Sequence, residues 1–358
     1  PVPGDSMSTV TPWGVRTRVH NTGMRTMPGR TDEMRYSPSR CEPRSISSTR
    51  PLSPYTLRWT WQPTRPDVAL ITLAGRPRST GLSVGVQPRA LPPDRPEAGF
   101  DSASRWTIAP IYAMAAQRHM HEHGTTSAQL AWVKVAASLH AQHNPQALLR
   151  KPVTVDEVLA SGMVADPLHK LDCCVISDGG GAVVMTTPEI ARSLGKAPPV
   201  LVKAIQVVTS NGWEAQQAEW DATYIHTARI AARRAYQEAG ISDPRGMIGM
   251  AELHDCFSIT ELVTLEDLGF SEEGRAWADM LDGAYDADGR LPCQIDGGLK
   301  CFGHPVGASG LRMLYEAWLQ LSGQAGDRQL ASPRHALTHN LGGGPAQNVC
   351  SITILGGE

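Results

Sequence analysis

Residues 247–270 read MIGMAELHDCFSITELVTLEDLGF, and the two halves of this stretch have different periods. MIGMAELHD is a short, nearly continuous apolar run, the pattern of a buried strand. SITELVTLEDLGF carries apolar residues at helical spacing and runs into Gly269. Between them stand His254, Asp255 and Cys256, titratable or reactive groups where a strand hands over to a helix. Open α/β sheets bind their ligands at such strand ends. The stretch therefore predicts a layered α/β fold and a place to look for chemistry.

The alternation continues on both sides. PVLVKAIQVVTS (199–210) reads as a strand. DATYIHTARIAARRAYQEAGI (221–241) reads as a helix with Ala and Tyr on its buried face and Gly240 as its stop. LRMLYEAWLQLSG (311–323) places Leu311, Leu314, Trp318 and Leu321 along one helical face. HALTHNLGGGPAQNVCSITILGG (335–357) closes with a glycine turn and a last strand. Strands alternating with helices predict mainly parallel strand neighbours. Further upstream, DVALITLAG (67–75) is a buried strand and TIAPIYAMAAQRHMHEHG (107–124) a helix. TTSAQLAWVKVAASLHAQHNP (125–145) is a capped helix with Leu130, Val133, Ala137 and Leu139 on or near one face. TVDEVLAS (154–161) and PEIARSLG (188–195) are short helices, and LDCCVISDGGGAVVMTT (171–187) is strand, glycine turn, strand.

The chain has 358 residues, 41% hydrophobic and 19% charged, with a net charge of −2. This predicts a globular protein without a general attraction to nucleic acid or anionic membrane. No apolar run reaches the roughly 18 residues of a membrane span, and no basic-then-apolar leader opens the chain, so a cytoplasmic setting is expected. Seven cysteines, two of them adjacent at Cys173 and Cys174, do not suit a disulfide framework. Residues 1–66 differ from the rest: ten prolines, ten arginines, no lysine and only seven Val, Ile or Leu. They read as Pro-broken polar chain with no persistent period, either a disordered basic tail or text from a shifted reading frame.

Three glycine-flanked loops hold the candidate chemistry: His254-Asp255-Cys256-Phe257, the run GHPVGASG at 303–310, and His339-Asn340-Leu341-Gly342-Gly343-Gly344. Glycines let backbone N–H groups approach an oxyanion, and a His beside a Cys can activate a thiol or move a proton next to a thioester. Each feature also has a plainer reading. His254 alone is a satisfied core histidine, Cys256 a small buried hydrophobe, Asp255 the N-cap of the following helix, and the triple glycine a tight turn. His304 is harder to dismiss, because its loop spends small residues on space around it. His254, Cys256, Cys301 and His304 are zinc-ligand types, but their spacings are not those of paired ligands, and no metal site is expected. SDGGGAVV lacks the spacing of a nucleotide-binding loop.

Taken together and in order, HDCF (254–257), GGLKCFGHPVGASG (297–310) and NLGGGPAQNVCSITILG (340–356) resemble the thiolase superfamily, most closely its sterol-carrier-protein and lipid-transfer-protein type. QLAWVKVAASLHAQHNP and VLASGMVADPLHKLDCCVISDGGGAVV look like that family's loop-domain end and return strand. The resemblance covers roughly 67–358. It implies a layered αβαβα fold of two similar halves, with the N-terminal half incomplete. The implied division is an atypical segment at 1–66, the rest of the N-terminal half with its inserted loop domain at 67–200, and a C-terminal domain at 201–358. It further implies a homodimer acting on acyl-CoA with coenzyme A as co-substrate and no permanently bound cofactor. The implied activity is thiolase-type acyl transfer in lipid or sterol side-chain metabolism. The alternatives are an acyl-CoA aldolase or lyase working with a small OB-fold partner, or an inactive lipid-CoA-binding subunit. Carried over by residue, His304 activates the nucleophile and binds the thioester oxygen, His254 sits at an oxyanion site, and Cys256 is the acid/base thiol. The backbone of Gly342 and Gly343 lines a second oxyanion hole, and Asn340 stands where many relatives have a cysteine. The family's nucleophilic cysteine precedes the strand that DVALITLAG resembles. Here that region offers only Cys41, without the small-residue context or the following helix.

Overall fold

The computed structural model describes the backbone of residues 6–10, 16–20 and 68–75, and residues 108–195, 200–210, 212, 221–331 and 333–357. The chain divides into two compact units, Pro1–Pro51 and Leu52–Glu358. In the first, β1 (Ser6–Val10) pairs antiparallel with β2 (Arg16–His20). The sequence reading gives this segment no regular element. Each strand is only five residues long, with Thr and Val interrupted by Met, Arg or Ser, too short to display a period.

The second unit opens with β3 (Val68–Gly75), the strand expected from DVALITLAG. Among the described residues three α-helices and two short strands follow before its partner. α1 (Ile108–His123) ends at Gly124, whose φ of 70° only glycine adopts without strain. α2 (Ser127–Ala141) starts with a capping box in which Thr126 and Gln129 exchange side-chain and backbone hydrogen bonds. Its buried face carries Leu130, Val133, Ala137 and Ala141, whereas Leu139 is exposed. Leu139 was expected near that face, but two residues advance about 200° around a helix. α3 (Val155–Leu159) has its own capping box at Thr154 and Glu157, and β4 (Met163–Ala165) pairs with β5 (Leu168–His169). β6 (Gly179–Thr186) then runs antiparallel to β3 along its whole length, and α4 (Pro188–Ser193) is capped by Thr187.

The glycines of β6 correct the sequence reading, which made them a turn. They are strand residues paired with β3, and Gly179 and Gly181 are glycines because neighbours come too close for a side chain. A Cβ on Gly179 would stand 2.8 Å from Pro305 Cγ, and one on Gly181 3.1 Å from Leu311 Cβ.

The remaining elements are β7 (Leu201–Thr209), α5 (His226–Ala239), α6 (Pro244–Met247), β8 (Met250–Glu252), α7 (Ser258–Asp267), α8 (Ala276–Leu281), α9 (Gly298–Cys301), α10 (Ser309–Leu321), β9 (His335–Gly344) and β10 (Gln347–Gly356). They build a four-stranded sheet in the order β7-β10-β9-β8. Only β8 and β9 are parallel; β9–β10 and β10–β7 are antiparallel. The expectation of mainly parallel neighbours fails because only Pro345 and Ala346 separate β9 from β10, and so short a link can only reverse the chain. α5 packs on β7 and β10, α10 on β9 and β8, and α7 against α1, α2 and α5. One core of buried apolar residues runs through α1, α2, α5, α7 and strands β8 to β10, with Leu262, Leu265, Phe270 and Ile352 fully enclosed. Each such side chain contributes about 1.5–3 kcal/mol.

The expected face of α10 holds at Leu311, which is buried, and at Leu314 and Leu321, which pack against the core, but not at Trp318. Trp318 is 41% exposed, while Arg312, Met313, Glu316, Ala317 and Gln320 are buried. The helix is turned so that its charged residues meet buried partners: Arg328 on Glu316, and Asp296 and Glu252 on Arg312.

Candidate functional site

The three glycine-flanked loops converge, and a fourth segment laces them together. Residues 173–177 run extended along the seam. Cys173 forms an antiparallel bridge with Phe257 and Ile176 a parallel bridge with His304. The Cys174 N–H donates to the Cys256 carbonyl at 2.8 Å, and the His304 N–H donates to the Val175 carbonyl at 2.7 Å. The loop after β8 and the loop before α10 are thus held against the same short stretch of backbone. Gly303 turns the chain into His304 with φ 122°, and a Cβ there would stand 2.6 Å from the Ser177 hydroxyl.

His254 and His304 meet edge to face, with ring centroids 5.1 Å apart and planes at 82°. His304 Nδ1 lies 2.7 Å from Ser309 Oγ, and that hydroxyl donates to the Pro305 carbonyl at 3.2 Å. This relay assigns the tautomer: Nδ1 carries the proton and gives it to Ser309, leaving Nε2 with its lone pair. Burial and then the Arg312 guanidinium hold His304 down to about 4. His254 is pushed well below its ordinary 6.5 by burial, then by the charges of His304, His339 and Arg312. At neutral pH both rings are neutral, one presenting a basic nitrogen.

Cys256 sits on the same loop, its thiol 3.6 Å from Thr260 Oγ1. Burial pushes this thiol up to about 12, so it is a proton donor at rest. Phe257 stacks on Tyr112 of α1 with centroids 4.9 Å apart, and the Tyr112 hydroxyl donates to the Gly343 carbonyl at 2.8 Å. Tyr112 therefore ties the HDCF loop to the end of β9. Gly343 has φ 112°, and a Cβ there would run into the Gln347 carbonyl. Asn340 places its side chain beside Gly310, at the start of α10.

Beneath the loops lies a buried polar scaffold. Asp255 was expected to cap the helix that follows it. Instead its carboxylate accepts from the Leu299 and Lys300 N–H groups at 2.7 and 3.2 Å, capping α9. Extended backbone at Phe257 separates Asp255 from the first turn of α7, so its carboxylate faces the other helix. Arg312 bonds Asp296 and, at 3.3 Å, Glu252, joining the strand before His254 to the helix that carries Ser309. Lys300 donates to the Asp172 carbonyl at 2.5 Å and Lys134 to the Lys300 carbonyl at 2.8 Å. His339 is fully buried, with neither ring nitrogen hydrogen-bonded among the described residues.

A profile described as "Thiolase C-terminal domain-like" matches residues 209–356. The acetyl-CoA acetyltransferase of Methanothermobacter thermautotrophicus is 43% identical over 237 residues, 66% of this chain and 61% of that protein. Sterol carrier protein 2 of Oryctolagus cuniculus is 34% identical over 243 residues, 67% of this chain and 44% of its own length. This chain belongs to the thiolase superfamily. It spans about six tenths of the acetyltransferase and less than half of sterol carrier protein 2. Among solved structures, an Ltp2-ChsH2(DUF35) aldolase superposes with a TM-score of 0.67 at 28% identity, covering 81% of this thiolase chain and 72% of that one. Human mitochondrial 3-ketoacyl-CoA thiolase, at 12% identity, shares the fold with a TM-score of 0.53 over 81% of this chain and 72% of that one.

In this thiolase chain His254 and His304 are brought into ring contact, Cys256 lies on the loop between β8 and α7, and Gly343 is joined to that loop through Tyr112. Cys41 lies outside the described residues. Sequence reasoning missed Tyr112, Ser309, Arg312 and His339. Ser309 and His339 stood inside quoted motifs but were given no role. Tyr112 and Arg312 carried no signal, since each acts across a long sequence separation.

Proposed function

We propose that this chain is a thiolase-type acyl-CoA acyltransferase, condensing acyl-CoA units or cleaving a 3-oxoacyl-CoA with coenzyme A. The observation that carries the reading is the ring contact of His304 with His254, with His304 Nδ1 held by Ser309 Oγ at 2.7 Å, an arrangement that assigns the free lone pair to Nε2. Such a nitrogen takes the proton from a thiol as the sulfur attacks a thioester. The neutral His254 ring polarises the thioester oxygen, and the Gly342 and Gly343 backbone offers a second place for an oxyanion. Cys256, held protonated by burial, returns a proton to the α-carbon. Coenzyme A is a co-substrate and no cofactor stays bound. The covalent nucleophile is unassigned, Cys41 being the one candidate upstream of β3, and the assembly is a homodimer. Lipid or sterol side-chain metabolism is the setting, in keeping with sterol carrier protein 2 among the relatives.

A second reading has one specific observation in its favour, the likeness to the Ltp2-ChsH2(DUF35) aldolase. A carbon–carbon lyase on an acyl-CoA uses the same base and oxyanion groups without a covalent nucleophile, assisted by a small OB-fold partner. Turnover of acetoacetyl-CoA with coenzyme A separates the two. Acyl transfer predicts thioester consumption, its block by iodoacetamide, and an acyl adduct on one cysteine by mass spectrometry. Retro-aldol cleavage of a hydroxyacyl-CoA with no adduct would establish the lyase instead.

A further inference from the structure

We infer that Cys174 and Cys256 form an oxidisable dithiol, a site at which a hydroperoxide closes an intrachain disulfide across the seam of the site. The inference stands on strand register. Cys173 is bridged to Phe257 in an antiparallel sense, and the Cys174 N–H bonds the Cys256 carbonyl at 2.8 Å. That register sets Asp172 opposite Ser258 and Cys174 opposite Cys256. Cys173 (φ −99°, ψ 148°) and Phe257 (φ −133°, ψ 153°) are both extended, so side chains two apart share a face. The first pair shows which face: Ser258 Oγ donates to Asp172 Oδ1 at 2.7 Å. Cys174 and Cys256 therefore point to the same side as that contact and stand directly opposite each other. Directly opposed antiparallel residues have α-carbons about 4.5–5.5 Å apart, inside the roughly 4.4–6.8 Å that a disulfide spans. The charge of Cys256 is also felt at the Cys174 sulfur. Cys256 is buried and Cys174 only partly so, which makes Cys174 the sulfur that a small oxidant meets first.

The chemistry balances with one hydroperoxide. The Cys174 sulfur attacks one peroxide oxygen; the O–O bond breaks, leaving a sulfenic acid and, for hydrogen peroxide, water. The Cys256 sulfur then displaces the sulfenic hydroxyl as a second water, and the S–S bond forms. Two thiol hydrogens leave with the two oxygens, and an external dithiol reverses the change. Burial holds both thiols protonated, so closure is slow at neutral pH; the positive charge of Lys300 works against burial at both sulfurs and eases formation of the thiolate. The consequence for turnover rests on the acyl-transfer reading: a Cys256 sulfur in a disulfide has no proton to give.

The test uses the full chain under graded hydrogen peroxide, quenched, denatured, alkylated with iodoacetamide and digested. We expect a cross-linked peptide pair joining the 173–174 and 256 segments, two hydrogens lighter than the dithiol and removed by dithiothreitol. The link persists in Cys173→Ser and is absent in Cys174→Ser and Cys174→Ala. On the acyl-transfer reading, Cys174→Ser keeps its basal turnover and loses only the peroxide-dependent, dithiothreitol-reversible part of its inactivation. Alkylated Cys174 and Cys256 in oxidised folded protein, or a link that survives in both Cys174 variants, overturns the inference. A disulfide that forms in a chain with no acyl transfer leaves this inference standing and removes the proposed activity.

Discussion

The hydroxyl of Ser309 stands between His304 Nδ1 and the Pro305 carbonyl, and its removal acts in one direction. Ser309→Ala leaves the Nδ1 proton without an acceptor, so the ring is free to carry its proton on Nε2 and lose its basic face. Thiolytic kcat/KM is expected to fall about 10–100-fold, with Ser309→Thr recovering most of it. Equal activity of the Ala and wild-type proteins would remove Ser309 from the relay. A second consequence concerns pH. The base must be unprotonated, and His304 is held down to about 4. The acid limb of the kcat/KM profile should therefore lie near 4, with a flat region through neutral pH, rather than near the ordinary histidine value. A limb at about 6.5 would show a solvated His304 and contradict the buried neutral ring.

Among the elements, the end of β9 separates two glycines that look alike in sequence. Gly343 has φ 112° and a backbone carbonyl where its Cβ would go, whereas Gly342 has open space. Gly343→Ala should cost roughly 2–3 kcal/mol in chemical denaturation and Gly342→Ala less than about 1 kcal/mol. Similar losses at both would mean that the strand end relaxes. The sequence could not have ranked them, because a left-handed residue and a close approach both spell glycine. Much else was legible. Caps at Thr126 and Thr154 and the leading Pro188 announced three helices, and the change of period at 247–270 placed β8, α7 and the HDCF loop between them. Two kinds of feature were not legible. Gly179 and Gly181 read as a turn because Pro305 and Leu311, which exclude their side chains, arrive from far along the chain. Trp318 was wrongly placed on the buried face of α10 because charge pairing at Arg312 and Glu316, which apolar spacing does not display, draws that side of the helix inward instead.

Across the whole molecule, buried titratable groups pull stability in opposite directions with pH. His339 is held down to about 3, below the value near 6.5 of an unfolded histidine. Its contribution is complete above about 6.5 and is lost as pH falls toward 3, because only the unfolded chain binds the proton. Glu261 is pushed up to about 8, first by burial and then by the charge of Asp255. Its contribution is complete below about 4.3 and is lost as pH rises through 8. Paired denaturation curves cancel the titrations common to both proteins. The stability of wild type relative to His339→Leu should shrink from pH 6.5 to 4.5, and its stability relative to Glu261→Gln should shrink from pH 6 to 9. A pH-independent difference in either pair would show that the group titrates alike folded and unfolded.

The lacing of residues 173–177 between Phe257 and His304 also imposes an order in time. A growing chain exposes this segment long before the ribosome has delivered the loop at His304, so its bridges must wait as open backbone. The candidate site is then among the last parts of the unit to assemble, gated by contacts of long sequence separation. The same dependence makes the amide hydrogens of Cys174 and His304 reporters of cooperative opening. Their exchange with deuterated water should follow unfolding of the whole unit rather than local fraying.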